Sequence, residues 1–126
     1  MPIIIDVSEA PQCLRFTLIG PWPTIAEQRD LRVRLVNHQL LTSTTRALID
    51  LRLVDSVPAY TDANAIVAAA GKDGGLPRIR AYLVGSAVQF GFARQLKTAA
   101  AAATHIEIFS SEEEALVWLW NTDAHS

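Results

Sequence analysis

The side chains that chemistry would require are few and widely spaced. Asp55 and Ser56 adjoin in LIDLRLVDSVPAYTD, the stretch from Leu48 to Asp62, and Thr61 follows close behind. Ser56 and Thr61 are the candidate phosphoacceptors. The competing reading makes Ser56 a loop residue whose hydroxyl satisfies nearby backbone groups, a common use of serine in turns. Nucleophilic catalysis by Cys13, Ser56 or Ser86 needs a base, and the histidines, His38, His105 and His125, have no spacing that links them to a nucleophile. Ser86 in VGSAV lacks a Gly-x-Ser-x-Gly pattern and reads as a helix cap. One cysteine and three dispersed histidines give no metal-ligand pair at helical or turn spacing. GKDGG lacks the first glycine and the Ser/Thr of a phosphate-cradling loop. Glu112 to Glu114 read as the acidic first turn of a helix rather than as catalytic carboxylates. The expectation is a non-enzymatic protein with no metal and no cofactor.

The chain has 126 residues, half of them hydrophobic, which fits one domain spanning 1–126 around one core. Its net charge is −2 and its cations are scattered, so the concentrated basic surface of a general nucleic-acid binder is missing. A single cysteine allows no internal disulfide, which suits a reducing cytoplasm. MPIIIDV has no basic leader and its apolar run stops at Asp6, so neither a signal peptide nor a membrane span is expected there.

The elements that must position these residues can be read from periodicity. Ile3 to Val7 is β-branched and reads as a strand; Leu14, Phe16 and Leu18 alternate with Arg15 and Thr17 in a second one, Cys13 to Ile19. GPWP, Gly20 to Pro23, closes it. Thr24 and Glu27 have capping-box spacing and open a helix to about Leu41, with Ile25, Val33, Val36 and Leu40 facing the core and Leu31 and Leu35 widening that face. Arg29 and Arg32 lie near it with their charges in water. Ala47 to Leu51 lacks alternation and reads as a strand covered on both faces. A helix follows from Pro58 to about Ala70, then the connection Gly71 to Pro77 and a strand around Ala81 to Val84. Ser86 to Ala103 is a helix with Val88, Phe92, Leu96, Ala99 and Ala103 inward; Ile106 to Phe109 is the last strand. Ser110 with Glu113, or Ser111 with Glu114, caps a final helix carrying Leu116, Trp118, Leu119 and Trp120. The order β-β-α-β-α-β-α-β-α predicts an α/β domain: a central, mixed but mostly parallel five-stranded sheet covered by helices.

Four stretches then resemble the SpoIIAA-like family of small bacterial STAS-type α/β domains: GPWPTIAEQRDL, ALIDLR, RIRAYLVG and HIEIFSSEEEALVWL. Each is a hydrophobic framework pattern, and together they span nearly the whole chain. The resemblance implies a regulatory or binding domain related in fold to anti-sigma-factor antagonists and similar in architecture to lipid-binding CRAL-TRIO domains. In the sigma-regulating branch the phosphorylated serine lies about nine residues beyond the strand aspartate. Counting from Asp50 that position is Ala59, after Pro58, so Asp55-Ser56 comes too early.

The remaining candidate is a surface. On the Ser86 helix, Phe90 falls opposite the core face with Arg94 and Lys97 one and two turns later, the composition of an interfacial or partner-contacting patch. Trp22, between two prolines, is a second aromatic expected to be exposed. The leading reading is a cytoplasmic binding domain whose partner is a protein, a small apolar ligand or, peripherally, a membrane surface; a homodimer is compatible with it. The runner-up is a regulator switched by phosphorylation of Ser56 or Thr61.

Overall fold

Leu14, Phe16 and Leu18 are buried while Arg15 and Thr17 between them are half-exposed, the alternation of a strand with one face on a core. In the computed structural model, which describes residues 3–8, 13–22, 25–37, 46–57, 79–99 and 104–122, this segment is β2, Cys13–Pro21. The other elements are β1 Ile3–Ser8, α1 Ile25–Asn37, β3 Arg46–Ser56, β4 Ile79–Leu83, α2 Ala87–Ala99, β5 His105–Phe109 and α3 Glu112–Asn121. The expected helix from Pro58 and the connection Gly71 to Pro77 lie outside the described residues.

The five strands form one sheet in the order β1-β2-β3-β4-β5. β1 and β2 make an antiparallel hairpin with Ile5 opposite Phe16, and β2, β3, β4 and β5 run parallel. β3 is the central strand, and Ala47 to Leu51 are all buried, as expected of a strand covered on both faces. Both β2-α1-β3 and β4-α2-β5 step the same way along the sheet. Right-handed crossovers therefore send α1 and α2 to the same face.

That face carries the larger core. Phe16, Ile49, Leu51 and Tyr82 from the sheet meet Leu31 and Leu35 of α1 and Phe92, Ala93 and Leu96 of α2. The opposite face carries a smaller core, in which Leu48, Ile79, Ala81 and Leu83 meet Ala115 and Leu119 of α3. Ser111 caps α3 by accepting a hydrogen bond from the Glu114 N–H, so the second of the two expected capping pairs is the one used.

Two inward assignments fail. Val33 is 55% exposed and Val88 is 67% exposed. In α1 the buried stripe is centred on Leu31 and Leu35, and Val33 lies about 200° around the helix from Leu31 at roughly 100° per residue. In α2 the inward position of the first turn is taken by Gln89, whose polar end is fully used inside, so Val88 turns to solvent. β3 also runs five residues beyond its expected end at Leu51 to reach Ser56, because β2 continues beside it through Gly20 opposite Val54 and Pro21 opposite Ser56. Gly20 sits at φ 82°, backbone that favours glycine, where β2 changes register before Pro21.

Leu119 is 2% exposed at the centre of the smaller core, with Trp118 packed at its border. Leu119→Ala should lower stability by about 2–5 kcal/mol, the range for a leucine deleted from a packed site. Chemical denaturation checks this, and an unchanged midpoint would contradict the position given to α3.

Candidate functional site

The carboxyl ends of β4 and β5 lie side by side, next to the middle of β3: Leu83 is in register with Phe109 and with Asp50. From this edge β4 leads through Gly85 and Ser86 into α2, and β5 leads through Ser110 and Ser111 into α3. Both helix N-termini thus open at the edge where ligands of open α/β sheets bind.

Asp50 is the charged centre of that edge. It is 4% exposed and belongs to the face that α3 covers. Arg52 grips it as a fork, with Nε donating to Oδ1 at 3.0 Å and Nη2 to Oδ2 at 2.9 Å, and the Arg52 backbone N–H donates to Oδ1 at 3.0 Å. Arg15 Nη2, from the neighbouring strand, donates to Oδ2 at 3.1 Å. Burial pushes the Asp50 carboxyl up, but the hydrogen bonds from Arg52 and the charges of Arg52 and Arg15 outweigh it and hold the group below its ordinary value of 3.8. Glu112, in the first turn of α3, completes the cluster. Its Oε1 lies 2.6 Å from Arg15 Nη1 and 3.6 Å from Arg52 Nη2.

On the other face of β3, Gln89 organises the start of α2. Its Oε1 accepts from the Gly85 N–H at 2.7 Å, and its Nε2 donates to the Val54 carbonyl at 3.0 Å. Ser86 Oγ accepts from the Gln89 N–H at 3.2 Å, which makes Ser86 the cap that its sequence context indicated. Gly85 approaches β3 closely: a Cβ there would meet Arg52 Cγ at 3.4 Å.

The expected interaction surface divides. Phe90 is 46% exposed and Arg94 is exposed one turn on. Lys97 shares their side of α2, but its Nζ is held 2.5 Å from Glu107 Oε1 of β5, so its charge is already engaged. Trp22 does not stand out into solvent. It is half-buried and meets Phe92 edge-on, with ring centroids 4.8 Å apart. Prolines on both sides suggested exposure, but the Trp22 backbone N–H donates to the Ser56 carbonyl at 3.0 Å and the indole packs on the core.

Ser56 is exposed, and it ends β3 rather than lying in a loop. Thr61, His38 and His125 lie outside the described residues. Cys13 opens β2 and His105 opens β5, at opposite flanks of the parallel strands. Among the described residues no three His, Cys, Asp or Glu side chains gather as a metal-ligand set. No described helix is long and apolar enough to cross a membrane.

Neither a protein-family model nor a curated protein sequence matches the chain. A solved structure does: an uncharacterized protein of the DUF3478 family with a SpoIIAA-like fold from Shewanella loihica PV-4. The two are 22% identical and superpose with a TM-score of 0.61 over 93% of this chain and 91% of the other. The fold is SpoIIAA-like. The resemblance noted in the framework segments therefore holds at the level of the fold. In the SpoIIAA-like sheet of this chain, the polar centre is the Arg15–Asp50–Arg52–Glu112 cluster, which sequence reasoning used only as a landmark at Asp50. Its signal was present: Arg15 stands at a polar position of the preceding strand, and Arg52 follows two residues after an aspartate set in an apolar run.

Removing the Asp50 charge leaves Glu112 as the remaining ion-pair partner of Arg15 and Arg52 in the cluster, and both guanidinium groups reach water. Asp50→Asn should therefore cost about 1–3 kcal/mol, less than breaking a fully buried pair. Because the folded-state pKa lies below the unfolded one, this contribution is complete above pH 3.8 and fades as pH falls through the folded value. The stability gap between wild type and Asp50→Asn should narrow on acidification below pH 3.8, as read by urea denaturation at a series of pH values. A gap that widens there would reverse the assignment.

The Ser56 side chain is exposed at a strand end. Ser56→Asp should change stability by less than about 0.5 kcal/mol, as surface substitutions do. A larger loss in thermal unfolding would show that the hydroxyl has a partner inside the fold.

Proposed function

We propose that the protein is a non-enzymatic binding domain of the cytoplasm that meets an acidic protein partner through the outward flank of α2. The observation that carries this reading is the exposed phenyl ring of Phe90 beside Arg94, whose guanidinium has no ion-pair partner among the described residues. Aromatic residues and arginine are the types enriched at the centres of protein interfaces. A rigid helix supports the pair from beneath, since Phe92, Ala93 and Leu96 of the same helix are packed into the larger core.

A membrane surface fits these residues less well. Each basic residue near an anionic bilayer contributes about 1 kcal/mol, and a single acyl chain already binds only marginally. The Phe90 ring with Arg94 falls short of that. With Lys97 engaged by Glu107, the charge that would strengthen membrane attachment is reduced further.

A displayed random-peptide library provides the test. The wild-type protein should enrich peptides that combine Asp or Glu with an apolar residue, and Phe90→Ala with Arg94→Glu should abolish the enrichment while the melting temperature stays close to wild type. Equal enrichment by the double variant would refute the surface, and so would wild-type binding to vesicles of phosphatidylserine and phosphatidylcholine with no peptide enrichment.

A further inference from the structure

α3 differs from the other described helices in how it is held. It covers the second face of the sheet, and its fully buried side chains are Ala115 and Leu119 alone. Its two ends are fastened separately, each by arginines of the β2–β3 pair. At its N-terminus, Glu112 accepts from Arg15 and faces Arg52, both of which are anchored on buried Asp50. At its C-terminus, Arg46, the first residue of β3, donates through Nη1 to the carbonyls of Leu119 and Thr122. These carbonyls are among those a helix leaves without internal partners. α3 has no basic residue in its own last turn, so Arg46 brings the positive charge that the negative end of the helix dipole favours.

The two faces of the sheet carry separate buried clusters. The larger core joins β2, β3, β4 and β5 to α1 and α2 and contains no residue of α3. Loss of α3 would therefore leave that layer and the strand pairing in place. It would uncover a continuous apolar strip, Leu48, Ala81 and Leu83, on the opposite face. Close by, the cross-strand neighbours Ile19 and Leu53 are exposed already.

We infer that α3 is a strap, held at both ends by arginine clamps, that detaches from the sheet as a unit while the β-sheet with α1 and α2 stays folded. Opening converts a covered apolar face into an accessible one. Its control lies in two charged contacts that are partly exposed and so open to competition by ions or by a charged partner. This device is independent of the α2 surface proposed above: it uses the other face of the sheet.

Native-state hydrogen exchange of the full chain, resolved by residue, tests it with Arg46→Met and Glu112→Gln. Arg46→Met keeps the aliphatic stem and removes the C-terminal clamp. Glu112→Gln keeps the shape and removes the N-terminal charge. The amides of Leu116 to Asn121 should exchange faster than those of β3 and β4 in the wild type. They should accelerate further, about tenfold in Arg46→Met and about threefold in Glu112→Gln, the sizes expected for charge-assisted and half-exposed contacts. Amides of Ile49, Tyr82 and Phe92 should keep their wild-type rates in both variants. The inference is overturned if α3 exchanges in step with β3 and β4 in the wild type, if both variants accelerate all elements equally, or if neither variant changes α3.

Discussion

A carboxylate placed under a helix, in the central strand of a sheet, is tolerable only with its charge matched, and Asp50 meets that condition by recruiting three elements. Arg52 lies two residues along its own strand, Arg15 lies on the neighbouring one, and Glu112 arrives from the start of α3 to balance the second cation. Four side chains thereby fix the relative positions of β2, β3 and α3 at the carboxyl edge. The apolar layers on either side could be assembled with many sequences, since hydrophobic packing is non-directional. The forked geometry of Arg52 on Asp50 is directional, and it aligns the edge from which both α2 and α3 depart.

The same edge shows how the two faces of β3 have different duties. Toward α1 and α2, Gln89 joins the β4–α2 turn to the far end of β3 by hydrogen bonds with backbone groups, and on the outward flank of α2 Phe90 and Arg94 stay exposed while Lys97 is tied to Glu107. Toward α3, the apolar packing of Ala115 and Leu119 is joined by charged contacts at the helix ends that are partly open to solvent. The proposed α2 surface and the inferred release of α3 thus lie on opposite faces of the sheet.

Much of this was legible in the sequence. The alternation of Leu14, Phe16 and Leu18, the unbroken apolar run of Ala47 to Leu51 and the serines before α2 and α3 each placed an element, because strand period and helix capping are local. The inward faces of the helices were less secure. Val88 and Gln89 are neighbours, and hydropathy favours burying the valine; only the backbone groups of Gly85 and Val54, distant in sequence or supplied by a turn, reveal why the amide goes inside. Trp22 was misplaced for a related reason, since its orientation is set by Phe92 and by the Ser56 carbonyl. The pairing of Lys97 with Glu107 and the grip of Arg46 on the end of α3 are contacts between elements, and periodicity carries no record of them.

The central claim is that Asp50 couples β2 to β3 through Arg15, and a double-mutant cycle measures that coupling directly. Urea denaturation of wild type, Arg15→Met, Asp50→Asn and the combined variant near neutral pH isolates the pairwise free energy. The account predicts a favourable coupling on the order of 1 kcal/mol, so that the two substitutions together cost less than the sum of each alone. Strict additivity, with a coupling indistinguishable from zero, would mean that the charges at this edge are neighbours without being the constraint that aligns it.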